Sequence, residues 1–273
     1  MSNDHPATPT SMLGTLFQHR ELLWDLVKRD FIGRYKGSML GVFWSLFNPL
    51  LMLAIYTIVF SVAFRAKWGG MAESKVSFAI VLFSGMVVHS FFAECLNRAP
   101  SLITSQPNFV KKVIFPLEIL PWVALVSAFL HFLVSFGVLV VFCLLAGVVI
   151  QSGALMIPIA LIPLVLIIMG ISWLFSSLGV YLRDLSQIMG MVTTVALFMA
   201  PIFYPIEALP PAFGKLLVWN PITLPVILLR NLMLWDKPFL WGAWAISLVI
   251  GLSVCQLGYW WFQKSRGGFA DVL

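Results

Sequence analysis

Arg29, Arg34 and Lys36 gather just before a long charge-free run, and together they could hold a phosphate or pyrophosphate, since guanidinium groups bind such anions in a bidentate way. The same three charges equally serve as a cytoplasmic retention signal and as contacts for anionic lipid. Acid–base chemistry has less to draw on. The acids are scattered singly: Glu94 and Glu118 fall near the ends of apolar runs, and Asp184 beside Arg183 reads as a local ion pair. No acid lies in the middle of an apolar run, which argues against proton or cation coupling. His89 and His131 have no carboxylate three or four residues away and read as packed or hydrogen-bonded residues with no assigned role. Cys95, Cys143 and Cys255 stand apart, with no CxxC and no nearby His pair, so they read as small apolar residues and no metal site is expected. No GxxxxGK[ST] phosphate loop occurs, so the chain does not bind ATP in the P-loop manner; no catalytic residue and no cofactor of its own is expected.

These residues sit in a chain of 273 that is 60% hydrophobic and only 10% charged, which leaves no room for a separate soluble domain. From Ile119 to Leu182 there is no Asp, Glu, Lys or Arg. As one helix at about 1.5 Å per residue that run would reach roughly 96 Å, about three times a hydrocarbon core of roughly 30 Å, so it must double back, and Gln151-Ser152-Gly153 is its weak point. The expected fold is an all-α integral membrane protein with six spans, over 37–64, 76–96, 116–149, 155–182, 185–204 and 238–263. An amphipathic interface helix over 13–33 precedes them. Leu13, Leu16, Phe17, Leu23, Trp24, Val27 and Phe31 form its apolar face, with Arg20, Glu21, Asp25, Lys28 and Asp30 on the other positions. Six spans put both termini on one side, and Lys and Arg then divide eleven against six in favour of cytoplasmic termini. The polar stretch 1–12 has no apolar run behind it and is not a cleavable signal peptide. The net charge of +6 therefore belongs to topology and lipid headgroups, and no nucleic acid partner is expected.

Two segments depart from plain spans. The stretch 205–236 carries Pro205, Pro210, Pro211, Pro221 and Pro225 yet remains apolar in Leu216-Leu217-Val218-Trp219 and Val226-Ile227-Leu228-Leu229. Short apolar helices broken by Pro read as a re-entrant pair dipping into the outer leaflet; the alternative is a loop with two surface helices. At the start of the first span Gly37, Gly41 and Ser45 have the spacing that lets helices approach closely, within the chain or between subunits.

The run from Arg29 to Leu50, Arg29-Asp30-Phe31-Ile32-Gly33-Arg34-Tyr35-Lys36-Gly37-Ser38-Met39-Leu40-Gly41-Val42-Phe43-Trp44 and then Asn48-Pro49-Leu50, resembles the opening of the permease subunits of bacterial polysaccharide ABC exporters of the ABC-2 type. Three further segments are similar to the same family: Lys111 to Pro121 ahead of the third span, Pro201-Ile202-Phe203-Tyr204-Pro205 with Leu209-Pro210 and Asn220-Pro221, and the terminal Phe269-Ala270-Asp271-Val272-Leu273. The resemblance implies a homodimer working with two copies of a separate P-loop ATPase that binds ATP and Mg, in the bacterial inner membrane. It implies export of a lipid-linked polysaccharide on undecaprenyl pyrophosphate, such as O-antigen, with Arg29, Arg34 and Lys36 as candidates for the lipid pyrophosphate. Within the Pro-bounded connection 97–107, residues Ala99, Pro100, Ser101, Leu102, Ile103 and Thr104 become a candidate coupling segment seated in the ATPase, where sequence alone reads a plain cytoplasmic loop. Pro205, Pro210, Asn220 and Pro221 become gate candidates.

Sugars present apolar faces to aromatic rings, so a glycan channel should be rich in amphipathic aromatics. Phe43, Trp44, Phe47, Tyr56 and Phe60 on the first span, with Phe198, Phe203 and Tyr204 on the fifth, are the channel-lining candidates. Two other expectations stand beside this one. A drug or small-lipid ABC exporter would share the architecture, and an integral-membrane enzyme acting on polyprenyl phosphates would need acid–base residues or an acidic metal cluster at a membrane face.

Overall fold

A computed structural model describes residues 9–59, 75–111 and 115–273. Among these, the ordered elements are helices: α1 (Pro9–Gln18), α2 (Arg20–Gly33), α3 (Trp44–Tyr56), α4 (Lys75–Arg98), α5 (Pro107–Lys111), α6 (Leu120–Leu145), α7 (Ile157–Tyr181), α8 (Leu185–Phe198), α9 (Pro211–Leu217), α10 (Thr223–Met233), α11 (Trp241–Ser265) and α12 (Phe269–Val272), several of them extended by short 3₁₀ turns. Five helical stretches among the described residues are long and apolar enough to cross a membrane: Gly41–Val59, Phe78–Ser101, Leu117–Leu145, Ser152–Tyr181 and Trp241–Val272. The expected fifth span is helical only over Leu185–Phe198; that is roughly 21 Å at about 1.5 Å per residue, and Met199 to Tyr204 turn away.

The doubling-back falls a little before the expected weak point. Helix α6 closes with Gly147 at φ +69°, Gly147 N–H donating to Leu144 O (3.1 Å) and Val148 N–H to Cys143 O (2.9 Å), a Schellman cap that needs a residue tolerant of left-handed backbone. Gly153 then fits against α10, where an added Cβ would stand 2.9 Å from Leu232 O.

Helix α4 is the axis of the fold. It packs against α3, α6, α7, α8 and α10, and its residues from Phe78 to Leu96 are buried on nearly every side. A helix apolar all round has to be enclosed in this way. The closest helix pair is α7 with α11, where backbone meets backbone: a Cβ on Gly258 would lie 2.0 Å from Gly170 O, and one on Gly170 would lie 2.3 Å from Val254 O. Small residues permit this approach where no hydrophobic force between helices can be relied on.

Contacts sort the bundle into two ends. At one end Arg98 of α4 meets Asp30 of α2, Glu118 ahead of α6 meets Arg266 after α11, and the Tyr181 hydroxyl at the end of α7 donates to Ser265 O. The terminal Phe269 is fully buried here between Phe262 and Tyr181. At the opposite end Gln151 N–H donates to Met233 O (3.1 Å), and Trp244 Nε1–H donates to Ile159 O (2.9 Å).

Three sequence expectations change. Gly37 and Gly41 do not form a helix-packing face: both adopt positive φ (+89° and +52°) in the turn before α3, and nothing lies within 4 Å of a Cβ on either. The interface helix is two helices, broken at His19, and Asp30 points inward rather than to the polar side. Arg183 and Asp184 are not an ion pair among the described residues; the Asp184 carbonyl instead accepts Gln187 N–H (3.0 Å) to open α8.

Candidate functional site

The chemistry-bearing residues converge where α2 runs into the first span. Asp30 accepts from Arg98 Nη2 (2.5 Å) and from the Ser127 hydroxyl (2.6 Å), with Arg34 Nη2 at 3.5 Å. Arg34 Nη1 pairs in turn with Glu94 of α4. Glu94 also meets His131 Nδ1 (3.0 Å), and His131 Nε2 meets the Tyr35 hydroxyl (2.9 Å). This chain of partners ties α2, α4 and α6 together and reaches about three turns into α6. Charged groups at such depth are tolerable because each faces an opposite charge or a hydrogen-bond partner. Burial pushes the Asp30 carboxyl up, but the bonds from Arg98 and Ser127 and the charges of Arg98 and Arg34 outweigh it and hold the group below its ordinary range. Burial holds the Tyr35 phenol up; Arg34 opposes this and Glu94 adds to it, so the hydroxyl remains a donor.

A depressed Asp30 gives a testable sign. Its folded-state value lies below the unfolded 3.8, so its contribution to stability is complete above pH 3.8 and is lost as pH falls through the folded value. Asp30→Asn is expected to melt below the parent protein at neutral pH, with the gap narrowing only once the pH drops below about 3.8. Thermal melts in detergent across a pH series read this directly; a gap independent of pH would contradict it.

Two clefts flank this network. One, of about 380 Å³, lies between α2 and the turn after α4, and Arg29, Arg34 and Arg98 line it. The other, of about 290 Å³, lies behind the first span and is lined by Tyr35, Asn48, Tyr56, Ser90, Glu94 and His131 among others. Of the phosphate candidates, Arg29 and Arg34 thus share a cleft, and Lys36 is exposed and outside it. Of the aromatics, Tyr56 lines the second cleft, whereas Phe43 and Phe47 are exposed and Trp44 is half-buried with its ring edge-on to Phe47. Phe60 falls outside the described residues. Phe198 is exposed and stacks on Phe203 (5.6 Å), and the Tyr204 hydroxyl folds the turn by donating to Phe198 O (2.5 Å). Phe43, Phe47 and Phe198 thus turn away from the core of the single chain, whereas Tyr56 and Phe203 pack against it.

The coupling candidates divide by burial. Ala99, Pro100 and Ile103 are buried, Leu102 and Thr104 are half-buried and Ser101 is exposed. The buried ones anchor the turn to α7: a Cβ on Gly179 would lie 2.0 Å from Pro100 O. Only Ser101, Leu102 and Thr104 offer surface to a partner.

The gate candidates lie in a segment that folds as α9 and α10. Asn220 is buried at their junction, donating from Nδ2 to Ala196 O of α8 (2.7 Å) and accepting Ile222 N–H (3.2 Å). Pro205 opens a short 3₁₀ turn, Pro210 caps α9 and Pro221 is half-buried. The element missed in the sequence is Arg230. It is 2% exposed and sits inside α10, donating to Val81 O (2.8 Å), Ser84 Oγ (3.3 Å), Pro201 O (2.5 Å) and Ile202 O (3.2 Å). A lone Arg in the apolar run Val226 to Leu234 was the available signal. His89, likewise, meets the Thr193 carbonyl of α8 (2.9 Å). Among the described residues no three His, Cys, Asp or Glu side chains gather as a metal site.

The described residues form an all-helical, multi-pass membrane protein with a paired interface helix and a buried short helix before its last span. Residues 21–234 match the ABC-2 type transporter family, and the chain belongs to it. It is 28% identical over 268 residues to the O-antigen export system permease protein RfbA of Klebsiella pneumoniae, covering 96% of this chain and 97% of that one. The permease of the same name from Myxococcus xanthus is 25% identical over 76% of this chain and 78% of its own. The polysialic acid transport protein KpsM of Escherichia coli is 21% identical over the same shares.

Proposed function

We propose that this chain is the membrane subunit of an ATP-driven exporter that moves an undecaprenyl-pyrophosphate-linked polysaccharide, such as O-antigen, across the bacterial inner membrane. The observation that carries the reading is the end-to-end similarity to O-antigen export permeases. Two copies of the chain work with two copies of a P-loop ATPase, which binds ATP and Mg. Both termini are cytoplasmic, and the end of the bundle that gathers α2, Arg98, Arg266 and the carboxy terminus is the inner one. The basic residues found there favour this orientation.

In this scheme Ser101, Leu102 and Thr104 meet the ATPase, the cleft lined by Arg29 and Arg34 receives the lipid pyrophosphate, and the exposed rings of the first span and α8 line a path between the two copies. ATP-driven closure pushes on the 97–107 turn and separates the two copies of these helices. The burial of α10 against α4 and α7 supports a re-entrant role for 205–236, since protein covers its backbone at membrane depth. Proteoliposomes holding both subunits test the proposal. ATP should carry an undecaprenyl-pyrophosphate-linked glycan into a compartment protected from added glycosidase, and a Gly/Ser linker over 101–104 should abolish that transfer. Full transfer by the linker variant would contradict the coupling role, and ATP-independent transfer would contradict the exporter.

A further inference from the structure

The cleft between α2 and the turn after α4 is unusual in its charge. Arg29, Arg34 and Arg98 line it against the single carboxylate of Asp30. Arg34 is matched by Glu94 and Asp30, but Arg29 makes no ion pair among the described residues and only overlies the Phe109 ring at 5.9 Å. Arg98 gives Nη2 to Asp30, while its Nη1 is buried with no hydrogen-bond partner. Arg98 therefore keeps a donor that no group among the described residues satisfies. The far wall of the cleft is the 102–106 turn itself, which contributes Ser105 and Gln106 as polar groups.

We propose that this cleft is a phosphate-binding site whose occupancy is read by the coupling turn, with Arg29 and Arg98 as its anion ligands and Ser105 and Gln106 as the groups that register it. The ligand class is a phosphate or pyrophosphate anion at the inner membrane surface. The identification of that anion as the lipid pyrophosphate of the cargo rests on the exporter reading; the site itself does not. Because α2 carries one set of ligands and the coupling turn the other, a bound anion pulls the turn toward α2. The exporter would thereby distinguish a loaded from an empty subunit before ATP is spent. The cleft's volume of about 380 Å³ accommodates a pyrophosphate with part of its water shell.

The native cysteines, Cys95, Cys143 and Cys255, are all buried, so Ser105→Cys introduces a single accessible thiol on the wall of the cleft. Maleimide labelling of this variant, purified full-length in detergent, is followed with undecaprenyl pyrophosphate, inorganic pyrophosphate or phosphatidylglycerol present. Saturable protection by undecaprenyl pyrophosphate is expected. Arg29→Gln or Arg98→Gln, each made in the same background, should raise the half-protecting concentration about tenfold, as loss of one charge-assisted hydrogen bond implies. Lys28→Gln, on an exposed neighbour paired with Asp25, should leave it unchanged. Since Arg98 also holds Asp30, the exposed Arg29 variant keeps the test independent of folding. Protection by inorganic pyrophosphate as well assigns recognition to the phosphates alone. Equal protection by phosphatidylglycerol supports the anion site and makes a bulk lipid its ligand, overturning the cargo assignment. No protection, or protection unmoved by both Arg substitutions, overturns the site. Failure of the exporter reading would appear separately, as the absence of a co-purifying ATPase.

Discussion

Arg230→Met is expected to lower the melting temperature sharply and to abolish export. The guanidinium is the clasp between α10, the Val81–Ser84 turn of α4 and the Pro201–Ile202 turn that follows α8. Methionine fills much of the same volume but donates nothing, which strands carbonyls at Pro201 and Ile202 in an environment without water. At about 1–3 kcal/mol for each buried group left unsatisfied, the loss is several kcal/mol. Lysine restores the charge but not the planar fork that spans these acceptors, so Arg230→Lys should recover only part of the stability. Detergent melts and a surface-glycan export assay measure both effects. A parental melting temperature for Arg230→Met would show that the clasp carries no stability.

Gly179→Val should be nearly as damaging by a different route. A Cβ there would stand 2.0 Å from Pro100 O, 2.7 Å from its carbonyl carbon and 2.8 Å from its Cα. All three are backbone atoms, so no side-chain rotation relieves the clash, and α7 must part from the coupling turn. Overpacking of this kind costs about 1–3 kcal/mol or more, and here it falls on the turn proposed to meet the ATPase. Export is expected to fail even where the protein still accumulates in the membrane. Gly190→Val is the control: nothing lies within 4 Å of its added Cβ, and its effect should be small. Equal behaviour of the two variants would contradict a close α7–turn contact.

Much of this architecture was legible from the chain alone because the bilayer reduces the choice to apolar length and placement of charge. The charge-free run from Ile119 to Leu182 had to become two antiparallel helices, and α6 and α7 are those helices. Likewise, a Pro-broken apolar stretch before the last span had to become short helices, as α9 and α10 are. The polar network was not legible. His131 meets Glu94 across 37 residues and Tyr35 across 96, and a search limited to the same helical face cannot find partners carried by other helices. The Gly37 and Gly41 spacing misled for a related reason: a four-residue interval implies one face only if both residues are helical, and positive φ at each places them in a turn. Arg230 was not legible because a lone charge in a Pro-rich segment carries no sign of its partners: four backbone and hydroxyl acceptors from α4 and the post-α8 turn receive it inside the protein.

The proposed exporter needs two things outside this chain, a separate ATPase and a lipid-linked glycan. Affinity purification of the tagged chain in mild detergent, followed by ATP hydrolysis with and without an undecaprenyl-pyrophosphate-linked glycan, tests it most directly. A stoichiometric P-loop ATPase in the eluate, with a turnover that rises with the glycan-lipid, is expected. A chain that elutes without an ATPase, or an associated ATPase indifferent to that ligand, would contradict it.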